Sequence, residues 1–141
     1  GTNIVYITQD TDFTAGRIRL SVYESSDLGA RDESGIMSTV SIGDYDMLVT
    51  GDVEKVVERE LVREHELSGT ELLIVPHHGS KYSTSDELLS ALEPETAVIS
   101  TGYNRYGHPT QETLDMLEKY KVSVLRTDKL GSIIFHIAAG D

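Results

Sequence analysis

The spacing of apolar residues changes partway along the chain. In the first fifty residues they alternate with polar ones or form short blocks. Asn3 to Thr8 (NIVYIT) and Arg17 to Tyr23 (RIRLSVY) read as strands, with the polar loop QDTDFTAG between them. ESSDLGARDESG is a loop by composition. Ile36 to Ile42 (IMSTVSI) and Tyr45 to Thr50 (YDMLVT) read as a hairpin closed by Gly43-Asp44.

Beyond residue 50 the period becomes helical. Val53, Val56, Val57, Leu61 and Val62 recur at helix spacing in VEKVVERELVREH. ELLIVP is a short apolar block of the kind covered on both faces. TSDELLSALE opens with Thr84 and Glu87 in capping-box spacing. TAVIS, Thr96 to Ser100, is another buried strand. PTQETLDMLEKYK is a third helix, with Leu114 and Leu117 inward and Lys119 and Lys121 suited to its C-terminal end. VSVLRT and SIIFHIA read as closing strands. Four strands, a βα alternation and two further strands imply an α/β or α+β fold with a mixed sheet and about three helices.

In such sheets, ligands gather where parallel strands end. Gly51 and Asp52 follow YDMLVT, and His77, His78, Gly79 and Ser80 follow ELLIVP. TGYNRYGHP, with Tyr103, Asn104, Tyr106 and His108, follows the strand TAVIS, and Asp128 follows VSVLRT. The apolar run LLIV thus carries a strand that delivers two histidines to a shared edge.

Each residue also has an ordinary reading. Asp52 suits a helix N-cap. His77-His78 suits a polar turn after Pro76. His108 suits a helix start with Pro109 at the first position. Asp128 reads as a turn residue, His65 as a surface residue offsetting a helix dipole, and His136 as structural. Ser80, Ser83 and Ser85 lack a nucleophile-elbow pattern, which argues against serine catalysis.

Composition narrows the chemistry. The chain of 141 residues is long enough for one domain with a core. It has no cysteine, so a metal would be held by His, Asp, Glu or backbone oxygen. A net charge of −12 argues against a general nucleic-acid binder. It leaves open an enzyme that meets nucleic acid through a metal-lined cleft. No apolar run approaches the ~20 residues of a membrane helix, so direct membrane insertion by this chain is not expected.

The order LVTGDVEKVVERELV, LLIVPHHGSKYSTS, TGYNRYGHP and RTDKLG resembles the C-terminal half of the metallo-β-lactamase-fold domain of ComEC-type DNA-internalisation competence proteins and related hydrolases, over residues 16–137. The resemblance implies half of an αββα fold, residues 3–141 forming one partial domain. It implies that Asp52 bridges two metals and that His77 or His78 is a late metal ligand. His108 would lie at the active-site rim, giving Asp52, His78 and His108 as the catalytic set. The implied cofactor is a divalent metal, zinc or manganese. The implied activity is a phosphodiesterase or nuclease linked to DNA uptake, with DNA or another phosphodiester as substrate.

Two departures qualify this. The superfamily's H-x-H-x-D-H motif is absent, since no histidine precedes His65. Its Asn-x-x-Ser element is replaced by DESGIM, with Asp32 and Gly35. The chain alone is therefore expected to bind metal weakly or not at all and to be inactive, its partner being the missing N-terminal half. The alternative is a degenerate, non-catalytic interaction module. A receiver-like phosphoacceptor fits poorly, because NIVYIT is not followed by an acidic pair. The parent is either a bacterial membrane protein carrying this soluble domain or a free-standing cytosolic or exported hydrolase.

Overall fold

The computed structural model describes residues 4, 6–24 and 35–138. Seven strands form one sheet in sequence order: β1 (Thr11–Ala15), β2 (Ile18–Glu24), β3 (Ile36–Ile42), β4 (Tyr45–Val49), β5 (Leu72–Ile74), β6 (Thr96–Ile99) and β7 (Ser123–Arg126). β1 to β4 pair antiparallel, and β4 to β7 run parallel. The connections from β4 onward carry α1 (Lys55–His65), α2 (Asp86–Leu92) and α3 (Gln111–Lys119), and the one-turn α4 (Thr127–Leu130) follows β7. The mixed α+β sheet is as the sequence pattern predicts.

Register sorts the side chains into two faces. Leu48, Leu73, Ala97 and Val124 are paired neighbours on one face. There they join Met37 and Ile99 and pack against Val57 and Leu61 of α1, Leu88, Leu89 and Leu92 of α2, and Leu117 of α3. The opposite face holds the row Leu20–Val40–Met47–Leu72 and the row Val22–Ser38–Val49–Ile74–Val98–Leu125. None of these residues belongs to the helix-side core, and most are only half-buried.

Three local expectations are corrected. The described residues of NIVYIT form no strand; the first strand is TDFTA, inside the expected polar loop. Its hairpin turns at Gly16 (φ 62°), Phe13 pairs with Leu20, and Asp12 meets Arg19 at 2.5 Å. Neighbouring β2 stabilises a segment too polar to announce itself. SIIFHIA forms no strand through Ala138; Ile134, Phe135 and Ile137 are exposed. Alternation alone does not make a strand without a neighbour to pair with. The helix cap is Ser85, whose Oγ accepts from the Leu88 amide at 3.2 Å, not Thr84, whose φ is 62°. The loop ESSDLGARDESG lies largely outside the described residues, as does Asp32.

Candidate functional site at the carboxyl edge of the sheet

Because β4, β5, β6 and β7 are parallel, their C-terminal ends share one edge. The Thr50 hydroxyl donates to Ile74 O at 2.8 Å, tying the end of β4 to β5. Gly51 (φ 56°) then turns the chain, and its carbonyl accepts from the His77 amide at 2.9 Å. That bond sets the histidine turn beside Asp52. The N-cap of α1 is Glu54, so Asp52 does not take the capping role. Its carboxylate is exposed and makes no hydrogen bond or ion pair among the described residues.

His77 (φ 50°, ψ 41°) and His78 (φ 54°, ψ 23°) are consecutive residues in the left-handed region. Each such non-glycine residue costs about 1–3 kcal/mol and persists only where its surroundings hold it. The surroundings are specific. His78 Nδ1 lies 2.7 Å from Ser100 O, an arrangement that fixes the ring and leaves Nε2 outward when Nδ1 carries the proton. The Ser83 hydroxyl lies within 3.1 Å of Pro76 O and 3.0 Å of Ser80 O, closing the turn from below. Gly79 (φ 83°) touches the next loop so closely that a Cβ there would lie 2.6 Å from Pro109 Cβ. The Thr110 amide donates to Gly79 O at 2.9 Å, and the Thr113 hydroxyl to Ser80 O at 3.0 Å. The PHHGS and GHP turns are therefore one interlocked unit.

Within it, the His77 and His108 rings meet edge to face with centroids 5.7 Å apart. His77 Nδ1 is buried without a hydrogen-bond partner. Burial, followed by the nearby His77 and His78, holds the His108 imidazole below its ordinary pKa. His78 and His108 line a cavity of about 340 Å³ with Ser100, Thr101, Asn104, Tyr106 and Thr127.

Two residues support the site in ways that the sequence does not spell out: Glu58, which it leaves unmarked, and Asn104, which it places at the rim without a role. Glu58 is fully buried on α1, and its two oxygens accept from the Thr84 and Ser85 amides, each at 2.6 Å. Desolvation raises its pKa, against the lowering effect of those hydrogen bonds. It staples α1 to the loop that follows the histidines. Asn104 organises the 101–108 loop: Oδ1 accepts from the Tyr106 and His108 amides, and Nδ2 donates to Gly102 O and His108 O at 2.9 and 2.7 Å. An Asn before a Gly-rich turn was the available signal; nothing marked Glu58 apart from its place beside Val57 and Leu61.

The ordinary readings fare unevenly. Asp128 lies in the first turn of α4 and is bound by Arg126 through Nε at 3.0 Å and Nη2 at 2.7 Å, which holds its carboxyl below the usual range. His65 is half-buried against Tyr23, with Nδ1 3.3 Å from Asp10. His136 is exposed. Among the described residues no group of three or more His, Asp or Glu side chains comes together as a metal site would need.

No protein-family model matches this chain. ComE operon protein 3 of Bacillus subtilis is 39% identical over 111 residues, covering 78% of this chain and 14% of that protein. Competence protein ComA of Neisseria gonorrhoeae is 37% identical, covering 72% and 15%. Recombination protein 2 of Haemophilus influenzae is 37% identical, covering 67% and 12%. The chain thus spans about one seventh of the length of these relatives. Among solved structures, the metallo-β-lactamase-fold protein YhfI of Bacillus subtilis matches with a TM-score of 0.55 at 10% identity, over 88% of this chain and 52% of that one. A candidate Zn-dependent hydrolase of the metallo-β-lactamase superfamily from Thermotoga maritima gives 0.52 at 13%, over 88% and 72%. CmlA, a diiron β-hydroxylase from Streptomyces venezuelae, gives 0.55 at 11%, over 89% and 33%. At these identities the structural matches speak for the fold alone. Among the described residues no helix is long and apolar enough to cross a membrane.

Proposed function

The chain belongs to the ComEC-type competence family as a segment with the metallo-β-lactamase fold, and on that premise we propose that it is the C-terminal half of a metal-dependent phosphodiesterase site. The observation that carries this reading is the junction of three turns: Gly51 O on the His77 amide, and the His77 ring on the His108 ring. Asp52 and a histidine of the 77–78 pair are two ligands of a divalent cation, zinc or manganese; His78 and His108 face the substrate-side cavity. The metal would supply water activation and charge stabilisation when bound. The remaining ligands would come from the rest of the parent protein or from residues of this chain outside the described ones.

The uncovered sheet face supports the same division. Its rows carry Leu20, Val40, Met47, Val49, Ile74 and Leu125, only partly shielded from water. An apolar sheet face needs a second layer, and the N-terminal half of the domain is the proposed one. The competence names of the relatives suggest DNA as the phosphodiester.

The test is metal analysis and phosphodiester hydrolysis by the full-length protein. Bound zinc or manganese and metal-stimulated hydrolysis are expected, with Asp52→Ala losing both. Full activity in Asp52→Ala would remove the assigned role. Full-length protein free of metal and inert to added zinc and manganese would favour the second reading, a non-catalytic interaction module.

A further inference from the structure

We propose that the 103–106 loop is a stacking platform for single-stranded nucleic acid, with Tyr103 and Tyr106 receiving bases and Arg105 the backbone between them. The proposal rests on reading the adjacent edge as a phosphodiester-cleaving site. Tyr103 is 99% exposed and Tyr106 84%, and Arg105 between them is exposed and has no carboxylate partner among the described residues. Neither phenol hydroxyl has a hydrogen-bond partner among the described residues. The loop itself is tied down. Asn104 bonds four backbone groups, and the Thr127 hydroxyl both accepts from the Thr101 amide and donates to Thr101 O, at 2.8 and 2.7 Å. Binding there would order little that is not already ordered.

The position fits a strand fed toward the histidines. Tyr106 lies 6.0 Å from the His108 ring and shares with His78 and His108 the wall of the 340 Å³ cavity. Base exposure chooses the form of the nucleic acid. The net charge of −12 weakens attraction for the phosphate backbone of either form. Every unpaired base offers a flat face to a tyrosine ring, and a duplex hides its faces.

The test uses the full-length protein in EDTA, so that binding is read without cleavage. The probe is a fluorescent oligothymidylate of about 12 nucleotides, within the footprint of known single-strand binders. It is compared with the same sequence as a duplex and with oligouridylate. Single strands should bind at least about tenfold tighter than duplex. Tyr103→Ala and Tyr106→Ala should each weaken single-strand binding about tenfold, and Tyr103→Phe and Tyr106→Phe should restore it, since stacking needs the ring and not the hydroxyl. Preference for thymidylate or uridylate tells DNA from RNA, and either supports the platform. Equal binding of duplex and single strand, or alanine variants that bind like wild type with an unchanged melting temperature, overturns it. Tyrosine-dependent binding without any metal-stimulated hydrolysis would sink the hydrolase reading alone. Hydrolysis without tyrosine-dependent binding would sink this inference alone.

Discussion

The two faces of the sheet are built from the same strands and differ in what covers them. On the helix side, Leu48, Leu73, Ala97 and Ile99 are sealed under three helices, but toward β1 and β2 the same face turns polar, with Asp12, Arg19, Ser21, Thr39 and Ser41 in paired positions. On the other side the apolar rows continue from β2 to β7, and none of the described helices α1 to α3 packs over them. The helix side is complete where its helices lie. The open side is an apolar surface half finished. The carboxyl edge lies where the two meet, and its turns are held together by contacts within this chain.

Truncation on each face separates them most sharply. Leu73→Ala or Leu89→Ala should destabilise by about 2–5 kcal/mol, the range for cavity formation in a sealed core. Val40→Ala should cost under about 1 kcal/mol in the 141-residue chain, because water already reaches it. In the full-length protein, with a second layer present, the Val40→Ala cost should rise to about 2 kcal/mol. Urea unfolding of the two proteins reads both numbers. An equal, small cost at Val40 in each would mean that nothing packs on the open face.

Glu58 tests the covered side from within. Glu58→Ala leaves the Thr84 and Ser85 amides buried without an acceptor, at about 1–3 kcal/mol for each such group, and should lower stability by about 3 kcal/mol. The pH response has a definite sign. Burial raises the folded-state pKa above the unfolded one, so the folded state binds the extra proton. Its contribution is fullest below the unfolded carboxyl value, near pH 4, and is lost as pH rises through the raised folded value. Glu58→Gln should remove this component: between pH 4.5 and pH 7 the wild type should lose more stability than the variant. Parallel curves would show that the carboxyl is not perturbed.

Legibility in the sequence followed the same divide. Helices, parallel strands and the rim were readable because each leaves a local trace: helical spacing from Val53 to Val62, apolar blocks at LLIV and TAVI, and polar residues massed after strand ends. Parallel strands then place those ends together without further information. Features that depend on a distant partner were not readable. TDFTA is a strand because Leu20 and Arg19 face it, SIIFHIA is not one although it alternates, and Ser85 replaces Thr84 as cap where Glu58 takes the Thr84 and Ser85 amides. Glu58 itself reads as a surface helix residue until α2 is laid against it.

Asn104 sharpens the comparison at the edge. Asn104→Ala should cost about 1 kcal/mol in unfolding, since the loop is part-exposed and water can replace much of what is lost. Its larger effect should fall on His108, whose amide and carbonyl it holds. Metal-stimulated hydrolysis by the full-length protein should drop about tenfold with bound metal unchanged. Loss of the metal as well would move Asn104 from the substrate side of the edge to the ligand side.

The smallest effect belongs to the solvent side of the helices. Arg59 Nε on α1 lies 3.0 Å from Glu87 on α2, and both side chains are about half exposed. An exposed pair of this kind contributes about 0.2–1 kcal/mol and is screened by salt. Arg59→Ala should therefore shift the urea midpoint slightly in low salt and not at all near 1 M, where the screening length is about 3 Å. The same helices bury Leu61, Leu88 and Leu89 beneath that pair. A loss in Arg59→Ala that approached that of Leu89→Ala and survived high salt would mean that charge, not the buried leucines, holds α1 and α2 on the sheet. The contrast between a face sealed by packing and a face awaiting it would then lose its basis.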